Sequence, residues 1–169
     1  MRAAAVLCLV LALAACGRDD EGEKRAGGEG SVVATTSETD LPAWLNPTDG
    51  TDPARWLAGR EAGHALPADA AEVRAMGEAL KRAQSGFVED PRMIANRTAQ
   101  LGQMLAEIGK PESHRGLVEG LGRIAAVRGR RKSLYGEMCQ HYFNARAQGA
   151  DHAAALARLG EKNTPEARP

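Results

Sequence analysis

The chain is poor in the residues that usually announce chemistry. Three cysteines occur in 169 residues, and two of them, Cys8 and Cys16, lie in the N-terminal apolar stretch. Cys139 is therefore alone in the rest of the chain, with no internal disulfide partner. Basic and acidic residues balance at 22 each, so there is no global pull toward nucleic acid. No HExxH pair, GxSxG elbow or Gly-rich phosphate loop is present. No pair of carboxylates stands out from the solvated charges, and the case for an enzyme has nothing positive to rest on. Hairpin signals are missing too: Asp49-Gly50 lacks alternating flanks. No repeat of useful period argues for a solenoid.

What the chain does have begins at residue 1. Arg2 supplies a small positive start, and Ala3 to Leu13 is an unbroken apolar run. That run is shorter than the ~20 residues a bilayer span requires, and small residues follow it, as in a secretory signal peptide. Leu13-Ala14-Ala15-Cys16 resembles the lipobox of bacterial lipoproteins. The resemblance implies cleavage before Cys16 and acyl chains on it, and two or more chains would anchor the protein stably. Gly17 stands where many inner-membrane lipoproteins carry aspartate. By that resemblance the expected address is the periplasmic side of the cell envelope, with the outer membrane ahead of the inner.

Residues 17–40 hold seven acids and three bases with almost no apolar content. Such a segment cannot offset its ordering entropy by burial and reads as a disordered tether. Residues 41–66 form a transitional strap with both tryptophans, Trp44 and Trp56, and a short helix opened by Asp52-Pro53 and stopped by Gly59 or Gly63. The tryptophans either dock the strap onto the body or present an anchor to a partner.

From Pro67 the period is helical. Val73, Met76, Leu80, Ala83 and Phe87 share one face, and Asp90-Pro91 opens a helix with Ile94, Thr98, Leu101, Leu105 and Ile108 on a stripe. Gly109 and Pro111 stop it. Ser113 caps a third helix that turns Leu117, Leu121, Ile124 and Ala125 inward. Gly116 and Gly120 lie one turn apart on its flank, which predicts close approach by another backbone. Gly129 either breaks this helix or sits in one long bent helix reaching Arg146. Leu134, Tyr135, Met138, Cys139, Tyr142 and Phe143 then form a broad apolar arc, which places Cys139 in the core ahead of an intermolecular bridge. Asp151 caps a last short helix with Leu156 and Leu159 inward. The expected fold is all-α, a small bundle of four or five short helices after the disordered tether. The expected division is 1–15 signal peptide, 16–40 lipidated cysteine and tether, 41–66 strap, 67–160 helical domain and 161–169 disordered tail.

Two clusters could carry function. Arg123, Arg128, Arg130, Arg131 and Lys132 gather where the third and fourth helices of the body meet. They are either a solvated turn that complements a helix C-terminus or a contact for an acidic partner, lipid headgroups or the tether. Cys139 and His141 are two residues apart, about 200° around a helix, and cannot hydrogen-bond as a catalytic pair. The sequence therefore points to a lipid-anchored periplasmic adaptor, without cofactor, that binds a protein of an envelope assembly through Trp44, Trp56, Arg128, Arg130, Arg131 and Lys132, in a groove between amphipathic helices with a tryptophan at its edge. The alternative is a small-molecule or metal-binding lipoprotein with a pocket near Tyr135, His141 and Tyr142.

Overall fold

A computed structural model describes residues 41–128 and 131–161 of the chain. The signal peptide, Cys16 and the tether, the tail after Glu161, and Arg130 lie outside the described residues. Among the described residues the structure is all-α, with six helices in order: α1 (Pro53–Ala62), α2 (Ala71–Gln84), α3 (Pro91–Glu107), α4 (His114–Val127), α5 (Tyr135–Ala147) and α6 (His152–Glu161). None of them is long and apolar enough to cross a membrane.

Each start has a local cause. Asp52, Asp90, Ser113 and Asp151 accept hydrogen bonds from the backbone N–H three residues on, at 2.7–3.0 Å, relieving donors a helix start leaves open. Pro53 and Pro91 occupy the first helical positions, where a missing N–H costs nothing. Gly63 ends α1 at φ 78° and Gly109 follows α3 at φ 68°, a conformation that penalises a Cβ. Gly59, the other candidate stop, is inside α1 and buried. The third and fourth body helices are separate: α4 finishes at Val127 and α5 begins at Tyr135.

α2 packs most extensively on α4 and α1, and α3 on α5, which also carries α6. The Gly116/Gly120 pair does not mediate backbone approach, contrary to the sequence reading. A Cβ on Gly116 would meet its own cap hydroxyl, Ser113 Oγ, and one on Gly120 would meet the Leu156 side chain at 2.8 Å. The close crossing falls at Gly122, where a Cβ would lie 3.3 Å from the Cα of Ala83, and at Gly86, 2.9 Å from the Ala125 Cβ. Small residues on both helices let α2 and α4 settle together.

The strap folds back. Leu45 is buried, and the buried Asn96 side chain of α3 holds both of its backbone groups. The indole Nε1 of Trp56 donates to the Pro42 carbonyl at 2.7 Å, and its ring is fully buried. Trp56 is therefore core and presents nothing to a partner, which corrects its sequence assignment. Trp44, 40 % exposed, remains on the surface.

Candidate functional site

The best-organised surface feature sits at one end of the bundle, where the α2–α3 connection meets the α4–α5 connection. Ser133 N donates to the Gly86 carbonyl at 2.9 Å, and Val88 N donates to the Ser133 carbonyl at 3.1 Å. They form a single parallel bridge between Phe87 and Ser133. Arg128 Nη1 donates to Ser133 Oγ at 2.8 Å. Behind the bridge, Phe87 packs edge-on against Tyr135, with ring centroids 4.8 Å apart, a geometry aromatic quadrupoles favour. The Tyr135 hydroxyl in turn meets Thr98 Oγ1 at 2.7 Å in the interior.

Glu89 completes the junction. Leu134, the residue before α5, supplies no side-chain cap. The Glu89 carboxylate reaches across instead, accepting from Tyr135 N at 2.9 Å and Gly136 N at 3.1 Å. A carboxylate at a helix N-terminus is favoured by both hydrogen bonding and the helix dipole.

The outer face of this clamped junction is apolar and basic. Val127 is 87 % exposed, Val88 62 % and Leu134 52 %. They are three of the five large apolar side chains that the described residues leave in water, so the exposure is concentrated here. Arg123, Arg131 and Lys132 stand exposed around them and Arg128 is partly buried. Among the described residues none of these four cations has an ion-pair partner, a state they share with most other described cations; Arg82, Arg92 and Arg146 are the paired ones. Of the residues proposed from sequence for partner contact, the structure thus gathers Arg128, Arg131 and Lys132. Trp44 lies on the separate strap segment, Trp56 is internal, and Arg130 and Cys16 are outside the described residues. The sequence reading missed the apolar members. Leu134 was assigned to the core because it continues the α5 arc, yet it is the residue before the helix and points outward. Val127 could have been found, since it falls about 200° around α4 from Ala125 and off the buried stripe.

Among the described residues, Tyr135, His141 and Tyr142 do not face a common pocket. Both tyrosines are fully buried, while His141 is on the surface beside Glu137, Nε2 to Oε1 3.5 Å. Tyr142 instead joins a network with His152 Nδ1 at 2.8 Å and Arg146 Nη1 at 3.3 Å, and Arg146 also binds Glu112. Burial pushes Tyr142 up to about 12 and Cys139 likewise to about 12. A buried thiol of that kind is not a nucleophile at neutral pH. Nor does a tryptophan line the groove that α1, α2 and α4 form among the described residues. That groove, about 500 Å³ between α1, α2 and α4, is lined by Ala58, Ala62, Ala71, Ala75 and Met76 with Glu61, Glu72 and Arg115 at its rim. Among the described residues no group of three or more His, Cys, Asp or Glu is placed to hold a metal ion.

The family model for MoxZ matches residues 54–164, from the first turn of α1 past the end of α6. The chain belongs to the MoxZ family. Protein MoxZ of Paracoccus denitrificans is 31 % identical over 156 residues, which cover 92 % of this chain and 89 % of that protein. No solved structure matches the chain. In this MoxZ-family chain the whole loop-paired end lies inside the matched span, whereas Trp44 lies before it.

Proposed function

We propose that this MoxZ-family chain is a periplasmic accessory protein of the methanol oxidation system, working by binding another protein of that system and not by turnover. Family membership supports the setting. The observation that carries the binding role is the loop-paired end, where three large apolar side chains and unpaired cations are held outward by a hydrogen-bonded scaffold. A domain with nothing to bind would leave such an apolar group in water at a cost. In this reading the Leu13-Ala14-Ala15-Cys16 stretch directs export and acylation, so Cys16 tethers the body to the membrane, the outer membrane first, while residues 17–40 give it reach.

The test uses the tagged full-length chain in its own host growing on methanol, with in-cell crosslinking and mass spectrometry. The reading expects one dominant periplasmic protein of the methanol oxidation system to co-purify. It also expects palmitate labelling of the wild type that is lost in Cys16→Ser. Recovery of cytosolic proteins alone, or of nothing above a tag control, contradicts the adaptor role; an unlabelled wild type contradicts the anchor and leaves the adaptor role to the capture result.

A further inference from the structure

The loop-paired end has a chemical character that goes further than partner binding in general. We infer that it captures an acidic segment of the partner, one that carries apolar residues between its carboxylates. This rests on the adaptor reading and adds the partner's chemistry and the place where it docks.

Charge complementarity sets the sign. Arg123, Arg131 and Lys132 are exposed and Arg128 partly so, and no described acid pairs with any of them. Glu89 spends both carboxylate oxygens on the α5 N-terminus, and Glu119, one turn before Arg123 on α4, pairs with Arg82. With four cations gathered there, the end is positive on balance. An acidic chain would be steered to it and a basic one repelled. Val88, Val127 and Leu134, exposed at 62 %, 87 % and 52 %, set the second requirement. Cations alone would bind any polyanion weakly and without register. Apolar side chains beside them need apolar groups on the partner, which supply the desolvated centre of an interface inside a charged rim.

Rigidity favours a protein over a bilayer. The backbone at Val88 and from Ser133 to Gly136 is fixed by the Gly86–Ser133–Val88 hydrogen bonds and the Glu89 cap, and Arg128 is tied to Ser133. A backbone held in one arrangement before binding lowers the entropy cost for a partner of matching shape. A fluid headgroup layer gains nothing from that order.

Site-specific photo-crosslinking in the full-length chain, in cells, distinguishes the occupants. A photoreactive amino acid is placed at Val127 or at Leu134, and at Glu72 on the α1–α2–α4 groove as a control. The crosslinked peptide is then sequenced. The expected product from Val127 and Leu134 is one periplasmic protein, joined within a segment rich in Asp and Glu with interleaved apolar residues. Arg131→Glu with Lys132→Glu should lower its yield by about tenfold or more, and added salt should lower it in the wild type.

Crosslinks to residues 17–40 of the same chain, to a second copy, to a basic segment or to lipid would each overturn the inference. So would charge-reversal-sensitive binding of the purified chain to phosphatidylglycerol vesicles at the same positions. Capture of the partner from Glu72 but not from Val127 or Leu134 would leave the adaptor reading standing and remove this surface from it. No capture at any position would remove both.

Discussion

Asn96 binds both backbone groups of Leu45: its Oδ1 accepts from Leu45 N at 3.0 Å and its Nδ2 donates to the Leu45 carbonyl at 2.9 Å. One buried amide thus imitates a strand partner and fastens the strap to α3, 51 residues away in sequence. Asn96→Leu keeps the branched skeleton but removes both polar atoms, which strands the buried Leu45 N–H while the carbonyl keeps a bond from Arg92 Nη1 at 3.2 Å. A stranded buried group costs about 1–3 kcal/mol. Urea unfolding should show that loss, and limited proteolysis should cut near residues 41–50 first.

Glu89→Ala removes two bonds to the α5 N-terminus at once. Loss of a helix cap costs about 1–2 kcal/mol. Glu137→Ala, on the same helix but 63 % exposed at its side chain, should stay within about 0.5 kcal/mol of the wild type. A Glu89→Ala loss that also stays within about 0.5 kcal/mol in urea unfolding would mean that the Glu89 cap contributes nothing.

These two contacts mark the limit of what the sequence discloses. Asp52, Asp90, Ser113 and Asp151 were legible as caps because each acts on a donor three residues ahead. The stripes through Val73 and Leu80, Ile94 and Leu105, and Leu117 and Leu121 were legible because burial follows the helical period. Glu89 capping Tyr135 and Asn96 clamping Leu45 join residues 46 and 51 apart, and no local pattern encodes them. The basic half of the candidate site could be read as a charge cluster. Its apolar half could not, because Leu134 continues a core arc in sequence and leaves it only where the helix has not yet begun.

Alkaline pH should unfold the chain by way of buried acids, among them Tyr135, which burial also pushes up. Burial raises Cys139 from 9.0 to about 12 and Tyr142 from 10.0 to about 12. Both are neutral in the native state and ionise more readily when unfolded. The unfolded chain therefore holds fewer protons above pH 9, and stability falls as pH rises from there toward 12. Cys139→Ala should flatten the first part of that fall. Consistent with burial, the Cys139 thiol should react slowly with a disulfide reagent at pH 8 until urea is added.

Acid acts through His114. Burial lowers its pKa from 6.5, with the Leu57 carbonyl and Glu61 opposing. The unfolded chain then binds a proton that the native state resists, so stability present above pH 6.5 is lost as pH falls through the lowered native value. His114→Gln should remove that component of the slope between pH 7 and 5.

In the adaptor reading the partner docks on the loop-paired end. Amide hydrogen exchange of the full-length chain, alone and with the captured partner, tests it most directly. Exchange in residues 85–90 and 131–136 and around Val127 should slow on binding, while residues 58–62 and 71–76 on the α1–α2 groove stay unchanged. Protection confined to the groove, with the loop-paired end exchanging as in the free chain, would contradict the account.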